Sequence, residues 1–167
     1  MKKLLVIAAV LAVSFVNGQA FSGKGDQKFQ VGANLQSEAT GINLSYDYGL
    51  GENISIGLSS SYALGISDEL ALIDEPDFGE RFDLKARFNA NIGNVINIDD
   101  NFDLYPGLSL SLKNLGGHVG ARYFFTSGFG IFTEAQFPIA KYDNNLSPAE
   151  EIHNQFTMNV GATFNLQ

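Results

Sequence analysis

Residues 156–166 alternate without a break: Phe156, Met158, Val160, Ala162, Phe164 and Leu166 interleave with Thr157, Asn159, Gly161, Thr163 and Asn165. Successive side chains of a strand point to opposite faces, so this stretch has one greasy face and one small, polar face. A surface helix would instead need apolar residues at i, i+3, i+4 and i+7, and no window beyond the N-terminal residues sustains that spacing. The alternation recurs eight times, near residues 27–36, 40–49, 53–65, 81–93, 102–113, 117–126, 130–140 and 155–166. Turn signals separate the segments, among them Gly49-Leu50-Gly51-Glu52-Asn53, Asn114-Leu115-Gly116-Gly117 and Ser127-Gly128-Phe129. Long connections fall at 66–80 and 141–154, a moderate one at 94–101, and the pattern calls for no helix.

In the register that alternation sets, one face of all eight segments carries no charge. The other face holds Lys28, Asp47, Arg81, Asp83, Lys85, Arg87, Asp103, Lys113, Arg122 and Glu134. A soluble periplasmic lipocalin-like binding barrel would turn the apolar face inward. Three features point the other way. The polar face is rich in Gly, Ser and Asn, which suit a crowded interior better than a solvated surface. Tyr46, Tyr48, Tyr62 and Tyr123 lie on the apolar face towards strand ends, where a membrane-interface girdle sits. Charged residues make up only 17% of the chain, below the roughly 25% of soluble domains. The expectation is an all-β, eight-stranded antiparallel up-and-down transmembrane β-barrel, the one kind of sheet that leaves no open edge in hydrocarbon.

Met1-Lys2-Lys3 followed by the apolar run Leu4–Val16 is too short for a membrane-spanning helix and reads as a secretory signal, with small residues Gly18 and Ala20 at its exit. Residues 1–20 are expected to be cleaved and 21–167 to form the barrel. With no Cys, neither disulfides nor a lipid-modified N-terminus is expected.

Signal, eight alternating segments and a C-terminal strand together resemble the small OmpA/OmpX-type outer-membrane β-barrels, across the whole mature chain. In that family the last strand carries an assembly signal, matched here by Asn159, Gly161, Phe164 and Leu166, although many members end on an aromatic residue and this chain ends Leu166-Gln167. The resemblance implies the outer membrane, outer-membrane lipids and the barrel-assembly machinery as partners, and a monomer. It also implies both termini on the periplasmic side, so that the two long connections face outward.

Among residues that could carry chemistry, the polar-face charges come first. Asp47, Asp83, Lys85, Arg87, Asp103, Arg122 and Glu134 are expected to form an interior charge network, because an unpaired buried charge is costly. A three-residue loop Ser127-Gly128-Phe129 would set Arg122 opposite Glu134. Asp68, Glu69, Asp74, Glu75, Asp77 and Glu80 crowd one connection without EF-hand spacing, and read as a solvated, mobile loop. His118 and His153 lack the His-x-Ser motif of barrel lipid deacylases, so no catalytic residue, metal or cofactor is expected. An acidic chain with pI near 4.5 does not suit nucleic acid. The functional expectation is a barrel with a polar plugged lumen and a structural or surface-interaction role, with a narrow gated pore as the alternative.

Overall fold

The computed structural model describes residues 19–166; residues 1–18, which hold most of the expected signal, lie outside the described residues. Eight strands close into one antiparallel barrel: β1 (Gln27–Gln36), β2 (Ala39–Gly49), β3 (Ile54–Ile66), β4 (Phe82–Ala90), β5 (Phe102–Ser111), β6 (Asn114–Phe124), β7 (Phe129–Lys141) and β8 (Thr157–Asn165). Each strand pairs with its chain neighbours, and β8 returns to β1 with Gly161 opposite Gly32. Every strand therefore has two partners, and no backbone edge is left open.

The burial pattern is inverted relative to a soluble barrel. Val31, Ile42, Leu44, Ile56, Leu58, Phe88, Leu108, Val119, Ile131 and Val160 are exposed, whereas Lys28, Asp47, Asp83, Arg87, Asp103, Arg122 and Glu134 are buried. Since alternate residues of one strand fall into these two classes, the polar face lines the interior and the apolar face forms the outer wall. Aromatic rings gird that wall near the end carrying the chain termini. Tyr123, Phe125, Phe129, Phe164 and Phe29 touch in sequence across β6, β7, β8 and β1, with centroids 5.6–6.4 Å apart.

The expectation of no helix is not met. Three short helices lie in connections, α1 (Asp68–Ile73), α2 (Phe78–Arg81) and α3 (Gly93–Ile96), with a 3-10 turn at Glu150–His153. Each is a single turn or little more, too short for helical periodicity to register in the sequence. Local capping starts two of them: Ser67 Oγ accepts from the Leu70 amide, and Asp77 and Glu80 form a reciprocal capping box. The segment expected as one strand over 81–93 stops at Ala90. Gly93, whose added Cβ would collide with the Phe102 carbonyl and Asp103, lets the chain turn into α3, and Asn97 closes the helix in the left-handed conformation at φ 48°.

The connections on the far side from the termini form a cap. Leu70 of α1 and Ile152 of the 3-10 turn pack with Ala39 and Ala63 into a small apolar core, with Ile66 beside it. The two long connections are also tied directly, by the Ala149 amide donating to Asp74 Oδ2 at 3.1 Å. The acidic connection is thus docked, not free: Leu70 and Pro76 are buried, while Asp68, Glu69, Glu75 and Asp77 remain exposed.

Candidate functional site

The site is the barrel interior, built from alternate residues of all eight strands. Its centre is a chain of ion pairs. Asp103 and Arg122 face each other across β5 and β6, and Arg122 Nη2 and Nε donate to Asp103 Oδ2 at 2.7 and 3.1 Å. Arg122 Nη1 also lies 3.8 Å from Asp47 Oδ2, and Asp47 Oδ1 lies 3.2 Å from Arg87 Nε. Arg87 Nη2 continues the chain to Glu134 Oε2 at 2.6 Å, and Gln136 Nε2 donates to Glu134 Oε1 at 2.6 Å. Lys85 Nζ donates to Gln136 Oε1 at 2.6 Å and stands 3.7 Å from Asp83, which accepts from Ser111 Oγ at 2.8 Å. All seven charged residues singled out in the sequence therefore meet in one connected network.

The expected Arg122–Glu134 pair does not form. Phe125 and Thr126 amides both donate to the Phe129 carbonyl, at 3.0 and 3.2 Å, and Thr126 Oγ1 accepts from the Phe129 amide. This makes the turn four residues long between Phe124 and Phe129, and Gly128 keeps a negative φ. The register moves by two, so Arg122 faces Phe132 and Glu134 faces Gly120. Each charge then finds its partner on another strand.

The interior aromatic side chains Tyr105 and Phe132 went unread in the sequence, and His118 was weighed there only as a catalytic group. Tyr105 is fully buried between the two arginines, whose Cζ atoms lie 4.7 Å (Arg122) and 5.7 Å (Arg87) from its ring centroid. Its hydroxyl accepts from Gln30 Nε2 at 3.1 Å. The ring covers Gly120, its cross-strand partner, in the space where a Cβ would stand. The imidazole of His118 covers its own partner Gly107 in the same way, and the ring of Phe132, whose backbone pairs with Gly161, stands against Gly32 one strand further on. Flat rings laid over glycines on nearby strands fill a lumen too narrow for two side chains at one level. The signal for this was present: Tyr105, His118 and Phe132 occupy polar-face positions, and Gly120, Gly107 and Gly161 lie on the strands they pair with.

Nearer the termini, Asp26 accepts from Lys28 Nζ and from the Ser22 amide and hydroxyl, and Lys28 also donates to Asn165 Oδ1 at 3.1 Å. Nearer the cap, Asn114 Nδ2 donates to the His153 carbonyl and to Asn154 Oδ1. His153 is itself buried under the cap, and burial lowers its pKa below the ordinary histidine value. Its sister His118 has a ring nitrogen 2.7 Å from Asn89 Oδ1. Among the described residues the buried charges are Asp26, Asp47, Asp83, Asp103 and Glu134 against Lys28, Lys85, Arg87 and Arg122, close to neutral.

Asn159, Gly161, Phe164 and Leu166 are not brought together: two face the interior and two lie outside it. Asn159 and Gly161 lie on the interior face of β8, where Asn34 Nδ2 donates to Asn159 Oδ1 at 2.7 Å, and Phe164 joins the outer aromatic arc. Leu166, just past the strand, is exposed and its amide donates to the Gln27 carbonyl.

The architecture has clear counterparts. A de novo designed transmembrane β-barrel superposes with a TM-score of 0.58 at 8% identity, over 87% of this chain and 98% of its own. The N-terminal β-barrel domain of Pseudomonas aeruginosa OprF gives 0.60 at 11% identity, over 87% of this chain and 100% of its own. At such identities the likeness is one of fold: a closed eight-stranded transmembrane-type barrel. No curated protein matches the sequence. The sequence pattern of one family, described as Family of unknown function (DUF6646), spans residues 11–166, and the chain belongs to that family.

Proposed function

We propose that this protein is an integral outer-membrane β-barrel, exported by its N-terminal signal, whose polar interior is a non-conducting plug and whose role is structural or one of surface interaction. The observation that carries the reading is the inversion of burial: hydrocarbon outside, ion pairs inside. An apolar wall running right around a molecule would drive aggregation in water and is stable in lipid. The interior supports the plug. Its arginines are held by carboxylates on other strands and by the Tyr105 ring, so opening a path means separating paired buried charges. Outer-membrane lipids and the barrel-assembly machinery are the partners of this reading, the molecule acts as a monomer, and it has no catalytic part.

Planar-bilayer recording of the detergent-extracted protein tests it. The expected result is a silent bilayer, with Arg122→Ala lowering thermal stability while conductance stays flat. A marked rise in single-channel current in Arg122→Ala would replace the plug with a narrow gated pore. Recovery of the protein from the soluble periplasm would overturn the membrane reading itself.

A further inference from the structure

The residues just before β1 are built into the barrel, and this bears on where the signal ends. Ala20 is 1% exposed and its amide donates to the Asp100 carbonyl at 2.7 Å. Phe21 is 2% exposed and its carbonyl accepts from Asn94 Nδ2 at 3.1 Å. The chain then turns through Gly23 and Gly25, both at positive φ, and is tied to the β2 end by the Gly25 amide donating to the Gly49 carbonyl and the Gly49 amide to the Asp26 carbonyl. Residues 20–26 thus pack against the α3 connection and the β2–β3 turn, closing over the end that carries the termini. Gln19, by contrast, is exposed.

Cleavage after Ala20 would remove a buried residue and its hydrogen bond, and would leave a new α-ammonium group on Phe21, buried with no carboxylate bonded to it. A buried unpaired charge is among the costliest features a fold can hold. Cleavage two residues earlier leaves the new charge on exposed Gln19 and keeps every contact of residues 20–26. Val16-Asn17-Gly18 supplies the small Gly18 beside the bond and the short aliphatic Val16 two residues before it, the two positions a signal peptidase reads.

Resting on the export reading above, we infer that the Gly18–Gln19 bond is the processing site, and that the mature protein begins at Gln19 with residues 20–26 as a fixed closure of the terminus-bearing mouth. In the step, water adds its oxygen to the Gly18 carbonyl carbon, the C–N bond breaks, and the nitrogen leaves protonated as the Gln19 amine. Exposed N-terminal glutamine can then close to its lactam, the amine attacking the side-chain carbonyl and ammonia departing.

Intact mass and N-terminal sequencing of the full chain, expressed in a Gram-negative host and extracted from its outer membrane, test the inference. The expected start is Gln19, as glutamine or as the lactam. A start at Phe21 overturns the cleavage position and leaves export standing; an outer-membrane chain that keeps Met1 overturns cleavage altogether, and a chain that keeps Met1 and is recovered only from the cytoplasm overturns export as well. A Gln19→Pro variant turns the scissile bond into a tertiary amide at an exposed position, so the uncleaved precursor is expected to accumulate. Processing of that variant at the wild-type rate would show that the bond cut lies elsewhere.

Discussion

At the level of single residues, the interior is organised by two kinds of pair: charge with charge, and ring with glycine. The first makes Arg122 the most exposed point of failure. Its guanidinium is fully buried and holds Asp103 and Asp47, so Arg122→Ala leaves two carboxylates in a low-dielectric space. Breaking one side of a buried pair costs about 3–5 kcal/mol, whereas replacing both Arg122 and Asp103 by Met and Leu is expected to cost far less than the two single changes together. Urea unfolding of the refolded barrel in lipid vesicles, run as a double-mutant cycle, measures both. The ring–glycine pairs predict a different coupling. Gly120→Ala pushes a methyl into the Tyr105 ring and is expected to destabilise by about 1–3 kcal/mol. In a Tyr105→Leu background the same change meets a smaller, flexible neighbour, so its cost should shrink by more than half in the same assay.

Among the elements, the strands and the places of the connections were legible in the sequence, and the structure inside the connections was not, for one physical reason. A strand's face is decided by its surroundings over ten residues, and the period of two from Phe156 to Leu166 or from Phe82 to Ala90 records that decision repeatedly. A connection is decided by single contacts. Leu70 docks the acidic loop, yet one leucine among Asp68, Glu69, Asp74 and Glu75 carries no period. The Arg122 partner was misread at the same scale, because two amides sharing the Phe129 carbonyl shift β7 by two residues, and alternation is blind to a shift of two. The charges on the interior face were readable as a set; which pairs with which depended on turn geometry. The cap predicts its own behaviour. Leu70→Asp should release the 66–81 connection, so that limited proteolysis cuts there while the barrel still migrates as a compact species in unboiled gels. Acid should loosen the same cap. His153 lies among Asp83, Lys85, Lys113 and the Arg81 backbone, and burial holds its folded pKa below the unfolded value near 6.5. The unfolded form takes the proton first as pH falls, so the stability that neutral His153 gives is complete above about 6.5 and is lost below it, down through the lowered folded value. Protease sensitivity of the cap is expected to rise between neutral pH and pH 5, and a His153→Gln variant should flatten that rise.

For the molecule as a whole, the question is which solvent the outer wall was built for, and a charge placed on that wall answers it. Leu108 sits midway along the apolar band, between Leu104 and Leu112 on the same face of β5 and its extension, and is 53% exposed. On a protein built for water, an arginine at so exposed a position is close to neutral, since surface substitutions away from special features change stability little. In a bilayer the same arginine lies near the midplane and costs about 2–4 kcal/mol, falling to about 0–1 near the interface. Leu108→Arg is therefore expected to lower unfolding stability in lipid vesicles by several times more than Leu112→Arg. Neither change touches the interior network, so loss of ion pairing cannot produce the difference. Equal costs at the two positions would mean that no hydrocarbon layer surrounds the barrel. The gradient with depth follows only from a wall immersed in lipid, with the aromatic arc from Tyr123 to Phe29 at its terminus-bearing border.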